Sequence, residues 1–165
     1  MAEELLKIDH VPTGASVAST VTQRLSRLLR NQLGTVLTQH SGFGLTDWRM
    51  FVGLSQKPGS TQKELVEFAQ MEQAQVSRSL ALMKERGLIT SVRSRSDKRA
   101  WLFSLTSKGQ TQFERLLPLV RAYCEGIDAV LTPREMKLYL DMAQRIARAC
   151  METDVKVLAQ NKKAG

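Results

Sequence analysis

The sequence predicts a mainly α-helical chain with one two-stranded antiparallel hairpin set into it, and three observations carry that expectation. Apolar residues recur at three- and four-residue steps along most of the chain. That period breaks once, between Leu88 and Leu105, where β-branched and alternating residues take over. Helix-capping pairs punctuate the remainder, as at Thr61 with Glu64 and Thr132 with Glu135.

Val17, Val21, Leu25, Leu28, Leu29, Leu33, Val36 and Leu37 mark one face of an amphipathic helix over about 16–40, ended by "SGFG". A second helix is expected with Thr46 as its cap and Leu45 before it as a staple, carrying Trp48, Phe51, Val52 and Leu54 until "KPGS" stops it. Thr61 and Glu64 then open a short third helix. A fourth runs from about Glu72 to Arg86, with Gly87 where a left-handed residue is wanted. "LITSVR" and "AWLFSL" read as strands on either side of the polar loop "SRSDKR". Thr106 starts a long helix with Phe113, Leu116, Leu117, Val120, Cys124, Ile127 and Leu131 on one face, and Pro118 within it predicts a kink. Thr132, Pro133 and Glu135 restart the chain as a last helix presenting Met136, Tyr139, Leu140, Ala143, Ile146, Ala147 and Cys150, and "AQNKKAG" reads as a loose tail.

Composition narrows the possible functions. The chain has 165 residues, of which 42% are hydrophobic, enough for one domain over 1–165 with a real core. The acidic start "MAEELLKIDH" does not resemble a secretory signal and no apolar run reaches the length of a membrane span, so the expectation is a cytoplasmic protein without a membrane partner. Cys124 and Cys150 lack CxxC spacing and are expected to pack as reduced side chains on the apolar faces of their helices. His10 and His40 do not sit in a metal-binding cluster, so neither a metal nor another cofactor is expected.

The formal charge is +8, and much of the excess is local: Arg78, Lys84, Arg86, Arg93, Arg95, Lys98 and Arg99 face only Glu85 and Asp97 between residues 78 and 99. Helix, turn, helix and hairpin is the order of a winged helix-turn-helix, expected here over 45–105. With Val76, Leu80 and Met83 turned inward, Ala74, Arg78, Ala81 and Glu85 project roughly opposite, and Gln75 and Ser77 lie on the flanks. Small residues let such a helix sink into a major groove, where Gln75 and Arg78 can meet base edges and Ser77 a phosphate; Ala74 and Lys84 complete the expected surface. A hairpin loop carrying Arg93, Arg95, Lys98 and Arg99 can follow the DNA backbone and enter the minor groove. Asp97, two residues before Arg99, either anchors that guanidinium through a charge-assisted pair or caps the hairpin turn.

"SDKRAWLFSLTSKG" resembles the D-x-R…L-T-x-x-G signature of the MarR family of bacterial regulators, and "GLTDWRMFVGL" and "STQKELVEFAQMEQAQVSRSLALMKERGLI" match the preceding segments in order and spacing. The resemblance covers roughly residues 16–150. It implies a homodimer formed by helices at 16–40 and 106–158, double-stranded DNA with a pseudo-palindromic operator as partner, and a repressor often relieved by a small, commonly phenolic effector. By position, Ser77 and Arg78 match recognition-helix contacts, and Asp97 and Arg99 the wing pair. His40, Trp48 and Arg49 lie where the family places a ligand cleft, although Trp48 also suits a core anchor. The peroxide-sensing members' early cysteine has no counterpart here. An enzyme is not expected, since no nucleophile, base and orienting residue share a motif and no Gly-rich phosphate loop occurs. The competing reading is a winged-helix module that binds protein, which would not need so basic a wing.

Overall fold

The computed structural model describes residues 6, 7 and 11–161, with side chains described through residue 152. The N-terminal acidic stretch, His10 and residues 162–165 lie outside the described residues. The elements are α1 (Val17–Ser41), α2 (Leu45–Gln56), β1 (Ser60–Thr61), α3 (Gln62–Ala69), α4 (Gln73–Glu85), β2 (Ile89–Arg93), β3 (Trp101–Leu105), α5 (Ser107–Asp128) and α6 (Pro133–Asn161). They form two compact units, Leu25–Tyr123 and the chain on either side of it, with the divisions falling inside α1 and α5.

In the Leu25–Tyr123 unit, Leu37, Phe43, Met50, Phe51, Leu54, Leu65, Val76, Leu80, Met83, Leu88, Ile89, Leu116 and Val120 form one buried cluster. Five helices and the sheet each contribute apolar side chains to it, so none could keep its face dry alone. Phe43 meets Phe51 edge-on at 5.4 Å, and Trp48 stacks on Phe113 at 5.5 Å. Of the apolar row expected on α1, only Leu37 is fully buried.

Local chemistry sets the helix starts. Thr61 and Glu64 form the expected reciprocal cap: the Thr61 N–H donates to Glu64 Oε2 at 2.7 Å, and the Glu64 N–H to Thr61 Oγ1 at 3.2 Å. The expected Thr46 cap is corrected. The helix begins at Leu45, and the Gly44 N–H donates to Asp47 Oδ2 at 2.8 Å. A carboxylate three residues on reaches this amide directly, leaving Thr46 inside the first turn.

The sheet is antiparallel with order β1-β3-β2, one strand more than the hairpin expected. β1 pairs Ser60 with Phe103 and Thr61 with Leu102, and the Gly59 N–H donates to the Phe103 carbonyl at 2.8 Å. Two residues are too few to show a period, which is why the sequence hides this strand. Gly87 takes φ +67° after α4, as expected of a left-handed terminus. The chain then returns so closely that the Thr106 hydroxyl donates to the Gly87 carbonyl and a Cβ on Gly109 would stand 2.0 Å from the Leu88 carbonyl oxygen. Only glycine fits there.

α5 continues through Pro118 to Asp128. In the second unit, the Thr132 N–H donates to Glu135 Oε2 at 2.8 Å and Pro133 is the first residue of α6, as expected. The helix extends to Asn161, so the first residues of the tail read as loose are helical. The core role expected of the cysteines is corrected: Cys124 and Cys150 are both exposed among the described residues. The Cys124 thiol is pushed up by partial desolvation and by the Asp128 and Glu125 carboxylates, which keeps it protonated rather than reactive at neutral pH.

Glu64 also pairs with Lys57 at 2.6 Å. The Lys57 ammonium, followed by the Thr61 amide and hydroxyl, pulls its carboxyl down to about 2. A depressed carboxyl stabilises the fold fully above its unfolded value, and the contribution fades as pH falls toward the folded value. The Glu64 resonance should therefore titrate near pH 2 in a carboxyl-detected NMR experiment, and Glu64→Gln should flatten the loss of stability between about pH 4.5 and 2. A midpoint near 4.5 would refute the cap's charge coupling.

Candidate nucleic-acid interface

α3 and α4 are joined by a tight turn in which Gln70 takes φ 49°, and α4 turns Val76, Ser79, Leu80 and Met83 inward. Ala74, Gln75, Ser77, Arg78, Ala81, Lys84 and Glu85 are exposed, as the helical period requires. The Arg78 side chain is free of hydrogen bonds and ion pairs among the described residues.

What sets the rotation of α4 is a residue pair that periodicity does not identify. The buried carboxylate of Asp47, in the first turn of α2, accepts the Gly44 N–H on one oxygen and the Ser79 hydroxyl on the other, the latter at 2.5 Å. A buried carboxylate without such donors would be costly, so the pair fixes the azimuth of the helix at the residue following Arg78. The available signal was a serine on the apolar face, three residues from Val76.

β2 and β3 project the wing loop, with Arg93 opposite Trp101 and Ile89 opposite Leu105. Within the loop the Ser94 N–H donates to the Ala100 carbonyl at 3.0 Å and the Ala100 N–H to the Asp97 carbonyl at 2.9 Å. Asp97 Oδ1 accepts the Arg99 N–H at 2.9 Å. The anchor reading of Asp97 is thereby corrected: its carboxylate holds the backbone of Arg99, and no ion pair with the Arg99 guanidinium forms. A short acidic side chain reaches the amide two residues on more readily than it reaches the end of a long side chain. Arg95, Lys98 and Arg99 extend their side chains from the loop without an intramolecular partner among the described residues. Arg93 differs, donating to the Lys98 carbonyl at 2.7 Å and lying 4.4 Å from the Trp101 ring centre.

The cleft expected around His40, Trp48 and Arg49 does not assemble. Trp48 is 7% exposed and belongs to the core, because α2 turns its large apolar residues inward. His40 is exposed and holds the Val36 carbonyl through Nδ1 at 2.9 Å. Arg49 is half-buried and donates to the Ala69 carbonyl. A different open groove of about 840 Å³ runs beside α1, lined by Arg30, Asn31, Thr35, Thr38, Gln39 and Met71 among others. Burial, and then the neighbouring Arg30 charge, push the Arg49 guanidinium down from its ordinary value, which puts two cations close together. Among the described residues no group of His, Cys, Asp and Glu could hold a metal ion.

Two substitutions separate these roles. Ser79→Ala should lower unfolding stability by about 1.5–3 kcal/mol, the usual worth of a hydrogen bond to a charged acceptor, as read by urea denaturation. A loss under about 0.5 kcal/mol would mean that the carboxylate is held by other means. Asp97→Asn keeps a carbonyl acceptor for the Arg99 amide and should leave the wing's amide exchange rates within about twofold, whereas Asp97→Ala should speed exchange at Arg99 more than about fivefold, on the order of 1 kcal/mol. Equal exchange in the two variants would argue against the turn-cap role.

Residues 41–100 match the model of the MarR family. The transcriptional regulator BilQ of Clostridium symbiosum is 26% identical over 110 residues, which span 67% of this chain and 76% of BilQ. The PcaV transcriptional regulator of Streptomyces coelicolor, solved with its natural ligand, superposes with a TM-score of 0.67 at 21% identity, over 84% of this chain and 99% of PcaV. BpsR of Bordetella bronchiseptica, whose DNA binding is regulated by 6-hydroxynicotinic acid, gives a TM-score of 0.64 at 18% identity, over 76% of this chain and 98% of BpsR. In the matching segment, in the order of wing and helices and in the regulators it aligns with, the chain is similar to the MarR family of transcriptional regulators, and its fold is theirs, the winged helix-turn-helix.

Proposed function

We propose that this chain acts in the cytoplasm as a homodimeric, sequence-specific repressor that is released from a pseudo-palindromic operator by a small effector. The observation that carries the reading is the surface shared by α4 and the wing. Gln75, Ser77 and Arg78 stand exposed on a helix of small outward residues, and Arg95, Lys98 and Arg99 stand unpaired among the described residues on the adjoining loop. Arg78 and Gln75 read base edges in the major groove, Ser77 and Lys84 hold phosphate, and the wing cations follow the backbone into the minor groove.

The C-terminal helix supplies the argument for a second copy. Leu138, Tyr139, Leu140, Met142 and Ile146 on α6 are each between 44% and 56% exposed, and Ile127 and Val130 before it are also uncovered. An apolar surface of this kind on a soluble chain calls for a partner, and an isologous contact between identical helices satisfies it symmetrically. Two recognition helices related by that symmetry read two half-sites, which is the reason to expect a palindrome.

The groove beside α1 is where the effector binds. Arg30, with Arg49 nearby, favours an anionic group, while Leu45 and Met71 offer apolar surface to a ring, consistent with a phenolic acid. The DNA binding of BpsR, a structural relative, is regulated by 6-hydroxynicotinic acid, which likewise joins a carboxylate to a hydroxylated aromatic ring.

Selection of bound duplexes from a random pool, with sedimentation of the free protein, tests the reading. The expected result is a two-fold symmetric motif and a dimer at micromolar concentration. Arg78→Ala should cost about 1–3 kcal/mol on the selected duplex and relax preference at one base pair in each half-site. A stable monomer, or equal losses on selected and random duplexes, would overturn the dimeric, base-reading assignment.

A further inference from the structure

Trp101 opens β3 and remains 40% exposed, an unusual position for an indole beside a packed core. The sheet register explains what surrounds it. Ile89 faces Leu105, Ser91 faces Phe103 and Arg93 faces Trp101, and these residues share one face because side chains alternate along a strand. Phe103 and Leu105 pack against the core. One step further along the same face, the core has ended and cations replace it. Arg93 lies 4.4 Å from the Trp101 ring centre and Lys84, from the last turn of α4, lies 5.5 Å from it. The Lys84 ammonium also donates to Ser91 Oγ at 2.8 Å, and the Arg93 guanidinium to the Lys98 carbonyl at 2.7 Å.

A single indole therefore touches a cation from the recognition helix and a cation from the wing. The face of an aromatic ring attracts cations electrostatically and leaves their N–H groups free at the rim, so both can still meet phosphate. The Arg93 contact with the Lys98 carbonyl carries the link into the loop that bears Arg95, Lys98 and Arg99. Without the indole, the wing would be held to α4 only through the Lys84–Ser91 hydrogen bond and the hairpin's base, neither of which reaches Arg93.

We propose that Trp101 is a positioning residue for DNA binding, the indole that clamps Lys84 of the recognition helix and Arg93 of the wing and so sets the spacing between the major-groove and minor-groove contacts. It rests on the reading of those two elements as the DNA interface. Like charges that would otherwise repel are held on one ring, and the wing reaches DNA already aligned with the helix. Preorganisation of this kind strengthens binding by removing the ordering cost of two long side chains.

The test uses the full chain and a duplex selected from a random pool, with affinity measured across a salt series. Trp101→Leu keeps an apolar side chain but removes the ring, and Trp101→Phe keeps a ring. The Leu variant should bind about five- to thirty-fold more weakly, the effect of losing two exposed cation–ring contacts, while the Phe variant should recover most of the loss. The slope of log affinity against log salt should become shallower by about one to two in the Leu variant, as two phosphate contacts lose their alignment. Combining Trp101→Leu with Arg93→Gln should cost much less than the two losses added, because the indole acts through the arginine. Thermal unfolding of both variants accompanies the binding data, so that a misfolded Leu variant is recognised and the Phe variant and the Arg93 cycle decide the matter. Equal affinities for the Leu and Phe variants, an unchanged salt slope or additive losses would overturn the clamp. A parent protein with no salt-dependent affinity for the selected duplex would overturn the DNA assignment of the two elements and the clamp with it.

Discussion

The buried carboxylate of Asp47 is the interaction on which the orientation of α4 depends. It sits in the first turn of α2, and both of its oxygens are engaged, by the Gly44 amide and the Ser79 hydroxyl. A helix that packs through aliphatic side chains alone can roll by tens of degrees with little change in buried area, since hydrophobic contact is not directional. A hydrogen bond to a buried charge is directional and expensive to break. Because Ser79 follows Arg78, any rotation that carried Arg78 away from its outward position would first have to break the contact with Asp47. The polar pair thus supplies an orientation that the apolar packing of Val76, Leu80 and Met83 cannot supply by itself.

A second constraint holds the wing to this framework. After Gly87 the chain enters β2, and the loop between β3 and α5 comes back against it: the Thr106 N–H donates to the Leu88 carbonyl at 2.9 Å, and the Thr106 hydroxyl both donates to the Gly87 carbonyl and accepts the Gly109 N–H. The absence of a side chain at Gly109 is what permits the approach. One threonine therefore ties the end of α4, the base of the wing and the start of α5 together. The L-T-x-x-G segment reads in these terms as a mechanical junction, in which each residue type answers a specific contact.

How much of this was legible in the sequence follows from the range of the interactions concerned. The reciprocal cap of Thr61 and Glu64, the restart at Thr132, Pro133 and Glu135, and the turn at Gly87 all lie within four residues of their partners, and chain chemistry of that range can be read in order. The outward set on α4 was legible because a helix repeats every 3.6 residues. What could not be read spans greater distances: Asp47 with Ser79 is separated by 32 residues, and Arg49 with the Ala69 carbonyl by 20. The groove beside α1 is assembled from α1 and from Gly44, Leu45 and Met71, and nothing in the sequence joins those positions. Trp48 was legible as a core residue and also as a cleft residue, and its stacking on Phe113 selects the core. For Asp97 the sequence left two outcomes open, and the difference turned on whether its carboxylate met a backbone amide or a guanidinium.

The two units also differ in how they meet their surroundings, and the difference is physical. In the Leu25–Tyr123 unit the apolar side chains are largely spent on an internal core and the free valence of the surface is cationic, suited to a partner bound through screened, salt-sensitive contacts. On α6 the apolar side chains remain uncovered and no described residue is buried, which suits a partner bound through contact area. Charge steers encounter over about a Debye length, whereas apolar contact acts only at closest approach. A protein whose α6 face is covered by a second copy would hold its symmetry independently of salt, while its hold on DNA would weaken as salt rises. The two interactions can then be adjusted separately, one by salt and the other by contact area.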